Sequence, residues 1–83
     1  MDLRQLNYIT VIAEELNLTR AAERLFVSQS TLSLYLSRLE KELGIRLFSR
    51  KNNRLVITAK GELYVETARK MLDMQKELYE QLH

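Results

Sequence analysis

The sequence predicts a mostly α-helical fold: three short helices, a two-stranded β-hairpin, and a long final helix. Three observations predict it. Apolar residues recur at three- and four-residue spacing through most of the chain. The 83 residues hold no proline and two glycines, so little interrupts a helix. The clearest β-favouring stretch, Leu55-Val56-Ile57, follows Asn52-Asn53, a pair that suits a tight turn because asparagine tolerates positive φ.

Each element has its own signals. Leu3, Leu6, Ile9 or Thr10, Ala13 and Leu16 form one helical stripe, with Asp2 as its cap and Asn17 as its stop. A second segment runs from Thr19 to Phe26. Thr19 is read as its N-cap, Glu23 sits near the capping-box position, and Ala21, Ala22 and Leu25 make a narrow apolar face. Ser28 caps a third segment reaching about Leu43. Leu32, Leu36, Leu39 and Leu43 line one side of it, and Gly44 ends it. Arg46 to Ile57 reads as the hairpin, with Lys51 and Arg54 beside its tip. Thr58 caps the last segment, about 25 residues or roughly 37 Å of helix. In it Tyr64, Ala68, Met71, Gln75, Leu78 and Leu82 alternate four and three apart, and Val65, Leu72 and Tyr79 form a second stripe. A long helix apolar on more than one side wants a partner helix.

The bulk properties exclude several classes. Eighty-three residues suit one small domain. With no cysteine there is no disulfide, thiol nucleophile or thiolate metal site, which fits a reducing cytosol. No apolar run approaches the ~20 residues of a membrane span, and the N-terminus lacks a signal-peptide pattern. The single histidine is His83, so no histidine triad or histidine metal cluster exists. Glu14/Glu15 and Glu40/Glu42 are too close in sequence to face one another on a helix. No enzyme, cofactor or metal is expected. The net charge is +2, and its distribution matters more. Leu43 to Gly61 holds five basic residues and no acid, whereas five acids outnumber three bases after Gly61.

The second and third segments carry the functional signal. Only two or three residues separate them, which forces a sharp crossing. Ala22 sits at the packing point, Val27 plugs the junction, and Leu32 and Leu36 anchor the second helix. The pattern is a helix-turn-helix with Phe26 where glycine is often found, followed by the hairpin. The outer face of the third segment is polar and hydroxyl-rich, and its N-terminal end suits a DNA major groove. Gln29 can bond an adenine bidentately, and serine or threonine can bond several base edges. Leu34 suits either a thymine methyl or another protein. Tyr35 reads as a core-edge residue. Ser28 is a cap, alone or with a phosphate contact as well. Arg38 and Lys41 suit phosphates, and Lys51 and Arg54 suit the neighbouring minor groove. Arg50 either binds phosphate or holds the hairpin to the domain. Arg20 and Arg24 are open to a plain solvated role.

Several stretches, in order, resemble the N-terminal domain of LysR-type transcriptional regulators. They are Met1-Asp2-Leu3-Arg4-Gln5-Leu6, Thr19-Arg20-Ala21-Ala22-Glu23-Arg24-Leu25, Val27-Ser28-Gln29, Leu32-Ser33, Leu39-Glu40-Lys41-Glu42-Leu43-Gly44, Leu47-Phe48-Ser49-Arg50, and Ile57-Thr58 with Gly61. The resemblance implies a bacterial, cytoplasmic regulator that binds interrupted palindromes near promoters and dimerises through the long helix. It implies a winged helix-turn-helix domain at residues 1–58 and a linker helix at 59–83. A small-molecule effector would act only through a further C-terminal domain. The recognition helix would be about 28–43 and the wing about 47–57. Base reading would fall on Gln29, Ser30, Thr31 and Ser33, and wing contact on Arg54. The DNA-contact set is then Thr19, Arg20, Ser28, Gln29, Ser30, Thr31, Ser33, Leu34, Arg38, Arg50, Lys51 and Arg54. The dimer set is Tyr64, Ala68, Met71, Leu72, Gln75, Leu78, Tyr79 and Leu82. The sequence departs from the family pattern at Ser30, where proline is usual. It departs again at Leu34 and Tyr35, where arginine and a polar residue are. The competing reading is a winged-helix protein-interaction module, which a salt-insensitive interaction would favour.

Overall fold

A computed structural model describes residues 2–51 and 54–83. In chain order the elements are α1 (Leu3–Glu15), α2 (Leu18–Leu25), α3 (Gln29–Leu43), β1 (Phe48–Lys51), β2 (Arg54–Ile57) and α4 (Ala59–Leu82). The hairpin is antiparallel, pairing Phe48 with Ile57 and Lys51 with Arg54. The expected Asn52-Asn53 turn lies outside the described residues.

Local chemistry sets most of the boundaries. Asp2 caps α1 in a capping box: Gln5 N–H donates to Asp2 Oδ1 (2.8 Å), and Gln5 Oε1 accepts from the Asp2 backbone. Ser28 Oγ accepts the Thr31 N–H (3.1 Å) at the start of α3, and Thr58 Oγ1 accepts the Gly61 N–H (2.9 Å) at the start of α4. The cap of α2 is Asn17 instead of Thr19. Asn17 Oδ1 accepts the Arg20 N–H (2.9 Å), and Thr19 lies in the first turn. The reason is the end of α1. Leu16 adopts a left-handed conformation (φ 50°), so the chain reverses within one residue and Asn17 starts the next helix at once. This also brings Leu18 into α2, and its side chain into the core.

The helix-turn-helix turn is built the same way. Phe26 is left-handed (φ 57°) and ends α2 rather than continuing it. Val27 N–H donates to Ala22 O (3.1 Å) and Phe26 N–H to Glu23 O (3.3 Å). These are the two bonds of a Schellman motif. Gly44 ends α3 through the equivalent pair, from Ile45 to Glu40 O and from Gly44 to Lys41 O. A non-glycine residue in this region carries strain of about 1 kcal/mol. The Phe26 ring, 94% exposed, recovers none of it by burial.

The core lies where α1, α2, α3 and the hairpin meet the first turns of α4. Ile9, Ile12, Ala21, Leu32, Leu36, Leu47 and Phe48 are sealed from solvent. Burying a leucine or isoleucine side chain contributes about 1.5–3 kcal/mol, so this cluster dominates stability. Ala21 and Ala22 let α1 and α3 approach α2 closely. The leucine stripe of α3 is buried at Leu32, Leu36 and Leu39, but Leu43, one turn further, is exposed because α3 has left the core there. Leu3 and Leu16, at the two ends of the α1 stripe, are also exposed.

One junction joins these parts. Glu40 Oε2 accepts the N–H groups of Leu47 (2.7 Å) and Phe48 (3.1 Å). Leu47 O accepts from the Thr58 N–H (3.0 Å), and the Thr58 hydroxyl donates to Arg46 O (2.7 Å) with Leu47 O nearby (3.1 Å). Gly61 packs directly on that carbonyl, and a Cβ there would overlap Leu47 O. Gly61→Ala should therefore destabilise the fold by about 1–3 kcal/mol, the usual cost of overpacking. Urea unfolding followed by circular dichroism measures it, and unchanged stability would contradict the tight junction.

Candidate nucleic-acid interface

Helix α3 shows four faces. Leu32, Leu36 and Leu39 look into the core. Ser30, Leu34 and Arg38, four residues apart, are exposed, Leu34 to 51%. Gln29, Ser33, Ser37 and Lys41 form the flank beside the hairpin. Thr31 and Tyr35 form the opposite flank. Tyr35 leans on Tyr8 of α1, with ring centroids 4.9 Å apart and planes tilted by 58°, a common aromatic arrangement. That contact places Tyr35 at the edge of the domain body.

The structure brings together residues distant in sequence. A polar depression of about 460 Å³ is lined by Asn17, Leu18, Thr19, Gln29, Arg50, Arg54 and Leu55. A second hollow, about 740 Å³, runs along Ser33, Ser37, Lys41, Arg46 and Arg50. Arg50 borders both, and its Nη2 donates to Ser33 Oγ at 3.1 Å. Strand alternation explains its reach: Arg50, itself exposed, lies on the same face of β1 as buried Phe48 and pairs with buried Leu55. Lys51 and Arg54 are opposite one another at the far end of the hairpin and exposed. Leu55 N–H donates to Leu16 O (3.3 Å), tying the hairpin to the end of α1.

The remaining expected residues are placed as follows. Thr19 and Arg20 are exposed in the first turn of α2. The Ser28 hydroxyl caps α3 and donates to Thr31 Oγ1 (2.7 Å). Arg24 is not simply solvated: it pairs with Glu14 (2.9 Å) and Glu15 (3.0 Å), and these hydrogen bonds raise its pKa further. Arg46 was given no role by sequence reasoning, although it stood in the acid-free basic stretch that marked this side.

Helix α4 carries a second surface. Val65 and Ala68 are buried against the protomer's own core, so Ala68 is not free for a partner. Tyr64, Leu72 and Gln75 are half-buried. Met71, Leu78, Tyr79 and Leu82 are exposed, and so are Leu63 and Met74, which the sequence stripes did not include. No apolar stripe links them, since the same spacing counted from Leu63 meets Thr67, Lys70 and Glu77. An apolar groove of about 350 Å³ lies between this helix and the body, lined by Leu6, Leu43, Ile45, Leu63, Tyr64, Thr67 and Met71 among others.

These features define a winged helix-turn-helix domain with an exposed polar helix face flanked by a basic hairpin. The chain belongs to the lysR family of bacterial regulatory helix-turn-helix proteins, whose family model matches residues 3–62. It is 40% identical to the uncharacterized HTH-type transcriptional regulator YkuM of Bacillus subtilis (strain 168), over 99% of this chain and 28% of that protein. The chain thus spans about a quarter of the length of the curated relatives it matches. Among solved structures it is similar to the BenM DNA-binding domain in complex with benA site 1 DNA (TM-score 0.92, 33% identity, covering 99% of this chain and 95% of that one). It is also similar to the CbnR DNA-binding domain–DNA complex (TM-score 0.89, 34% identity, covering 98% and 93%). No helix among the described residues is long and apolar enough to cross a membrane.

The Tyr64 hydroxyl is buried with no hydrogen-bond partner among the described residues. Burial, then the charges of Glu42 and Asp2, push its pKa above the ordinary value near 10, so the fold favours the neutral phenol. Its stabilising effect is complete below that value and is lost as pH rises through the raised pKa. Tyr35 shifts in the same direction, mainly by burial. Stability should fall in strong alkali, and Tyr64→Phe should lessen that fall without loss at neutral pH, because no bond is given up. Urea unfolding of both proteins across pH provides the measurement.

Proposed function

We propose that this chain is the sequence-reading DNA-binding domain of a bacterial LysR-type transcriptional regulator, acting by binding and not by catalysis. The observation that carries the reading is the start of α3. There Gln29, Ser30 and Leu34 stand exposed beside Ser33, with Arg50 and Arg54 on one flank. The N-terminal end of α3 enters the major groove, and Gln29, Ser30, Thr31 and Ser33 meet base edges. Leu34 lies against an apolar base edge such as a thymine methyl. Thr19, Arg20, Ser28 and Arg38 contact phosphates, and Lys51 and Arg54 extend along the minor groove. The likeness to two DNA-binding domains whose structures include DNA supports this reading. The fold suits a soluble regulator working in the bacterial cytoplasm.

Two copies pair through α4, presenting two α3 helices to an interrupted palindrome. The exposed residues Met71, Met74, Leu78, Tyr79 and Leu82 support this, because so long an apolar surface on a projecting helix calls for a matching helix.

Binding to a selected duplex should weaken steeply with salt, in proportion to the phosphates contacted. Gln29→Ala should relax preference at one base step by about 1–3 kcal/mol, whereas Arg54→Ala should weaken all sequences nearly equally. Selection from a random duplex pool, followed by fluorescence anisotropy, separates the two effects. Absent or salt-insensitive binding would favour the protein-interaction module.

Sedimentation at tens of micromolar should show a dimer, and Met74→Lys with Leu78→Lys should yield a folded monomer. A wild-type monomer at that concentration would refute pairing through α4.

A further inference from the structure

We propose that Lys41 and Arg46, together with Arg50, hold the phosphodiester strand that separates the two DNA grooves, in the hollow between α3 and the hairpin. This rests on the DNA-reading function proposed above and adds a contact to it. One backbone strand lies between any major groove and the minor groove beside it. With the start of α3 in one groove and Lys51 and Arg54 in the next, that strand must cross the surface between helix and hairpin. Its chemistry is the same at every step: negative charge, and phosphate oxygens that accept but do not donate.

The surface at that crossing matches this chemistry. The hollow there, about 740 Å³, is lined by three cations: Lys41 of α3, Arg46 of the connection before β1, and Arg50 of β1. Ser33 and Ser37 add hydroxyls on the α3 side. A water molecule occupies about 30 Å³ of liquid, so the space suits a run of backbone rather than one ion. All three cations are exposed, and none has an ion-pair partner among the described residues. Arg24, Arg69 and Lys70, by contrast, are each paired with an acid. The carboxylate in the hollow, Glu40, is engaged through Oε2 by the N–H groups of Leu47 and Phe48, and the cations outnumber it three to one. Like charges gathered in a concavity raise the local potential and concentrate a polyanion. Arg50 borders both this hollow and the depression beside Gln29. It marks where the strand passes from the reading end of α3, and Lys41 and Arg46 continue the track.

The test follows log K against log salt by fluorescence anisotropy, for the full 83-residue chain and its variants on one selected duplex. Lys41→Ala and Arg46→Ala should each lower the slope by about 0.9 per bound protomer, and the two together by about 1.8. The ranking of sites in a random-duplex selection should not move, because phosphates carry no sequence information. Arg46→Lys keeps the charge and should keep the slope. Lys70→Ala removes one positive charge from α4, outside the hollow, and should leave the slope near wild type. Circular dichroism confirms that each variant is folded. An unchanged slope in the double variant, with wild type still reading DNA, places the strand elsewhere: the proposal fails while DNA reading stands. An equal loss in Lys70→Ala reduces the effect to net charge, and a changed ranking makes these residues base readers; either result overturns the proposal. Binding of wild type to no duplex overturns the DNA reading itself.

Discussion

The backbone of Leu47 and Phe48 is held from three directions, and the relative placement of every functional surface depends on that grip. Glu40 reaches from α3 and takes both N–H groups. The Thr58 N–H donates to the Leu47 carbonyl while its hydroxyl caps α4, and Gly61 lets the first turn of that helix sit against the same carbonyl. Hydrogen bonds to a charged acceptor contribute about 1.5–3 kcal/mol each. Leu47 and Phe48 also bury their side chains almost completely, so the grip is backed by packing. Through this node α3, the hairpin and α4 are joined directly to one another.

Much of this was legible in the sequence wherever a signal is local. Asp2, Ser28, Thr58 and Gly44 announce helix ends through chemistry confined to four or five residues, and the structure uses each as expected. Thr19 misled because a β-hydroxy residue beside an apolar run looks like a cap, whereas Asn17, read as a stop, does that work. Leu16 takes a backbone conformation unusual for leucine, and nothing in its identity advertises it. The Phe26 turn was placed correctly because its neighbours, Ala22, Val27 and Ser28, fix where the chain must bend. Contacts between distant residues were harder to see. Arg50 and Ser33 are 17 residues apart and share no periodicity. On α4 the apolar residues were visible, but which of them the domain covers depends on where α1 lies. That is why Ala68 turned out buried and Leu63 exposed.

The cations divide by what already holds them. Arg24 is taken up by Glu14 and Glu15, and Arg69 approaches Glu14 at 3.9 Å. Both serve the face where α1 meets α2 and α4. Arg50 donates to a neutral hydroxyl and has no ion-pair partner among the described residues. An arginine held by a neutral partner keeps both its position and its field, a useful combination next to a polyanion. The acids of the C-terminal part of α4 are segregated from this region along the helix.

The continuity of α4 has a metrical consequence. The helix is embedded at Gly61, Val65 and Ala68 and runs uninterrupted to Leu82. The 14 residues beyond Ala68 extend about 21 Å at the helical rise. A helix so seated behaves as a ruler: its length is quantised in residues, and its direction is set at one end by the body. If two such rulers lie side by side, the distance between the bodies is written in the register of their apolar contacts. Sliding by one turn would change that distance by about 5.4 Å, less than two base-pair steps of 3.4 Å. In such a pair the spacing between the two α3 helices would be encoded in side chains of α4, on the far side of the domain from the α3 surface.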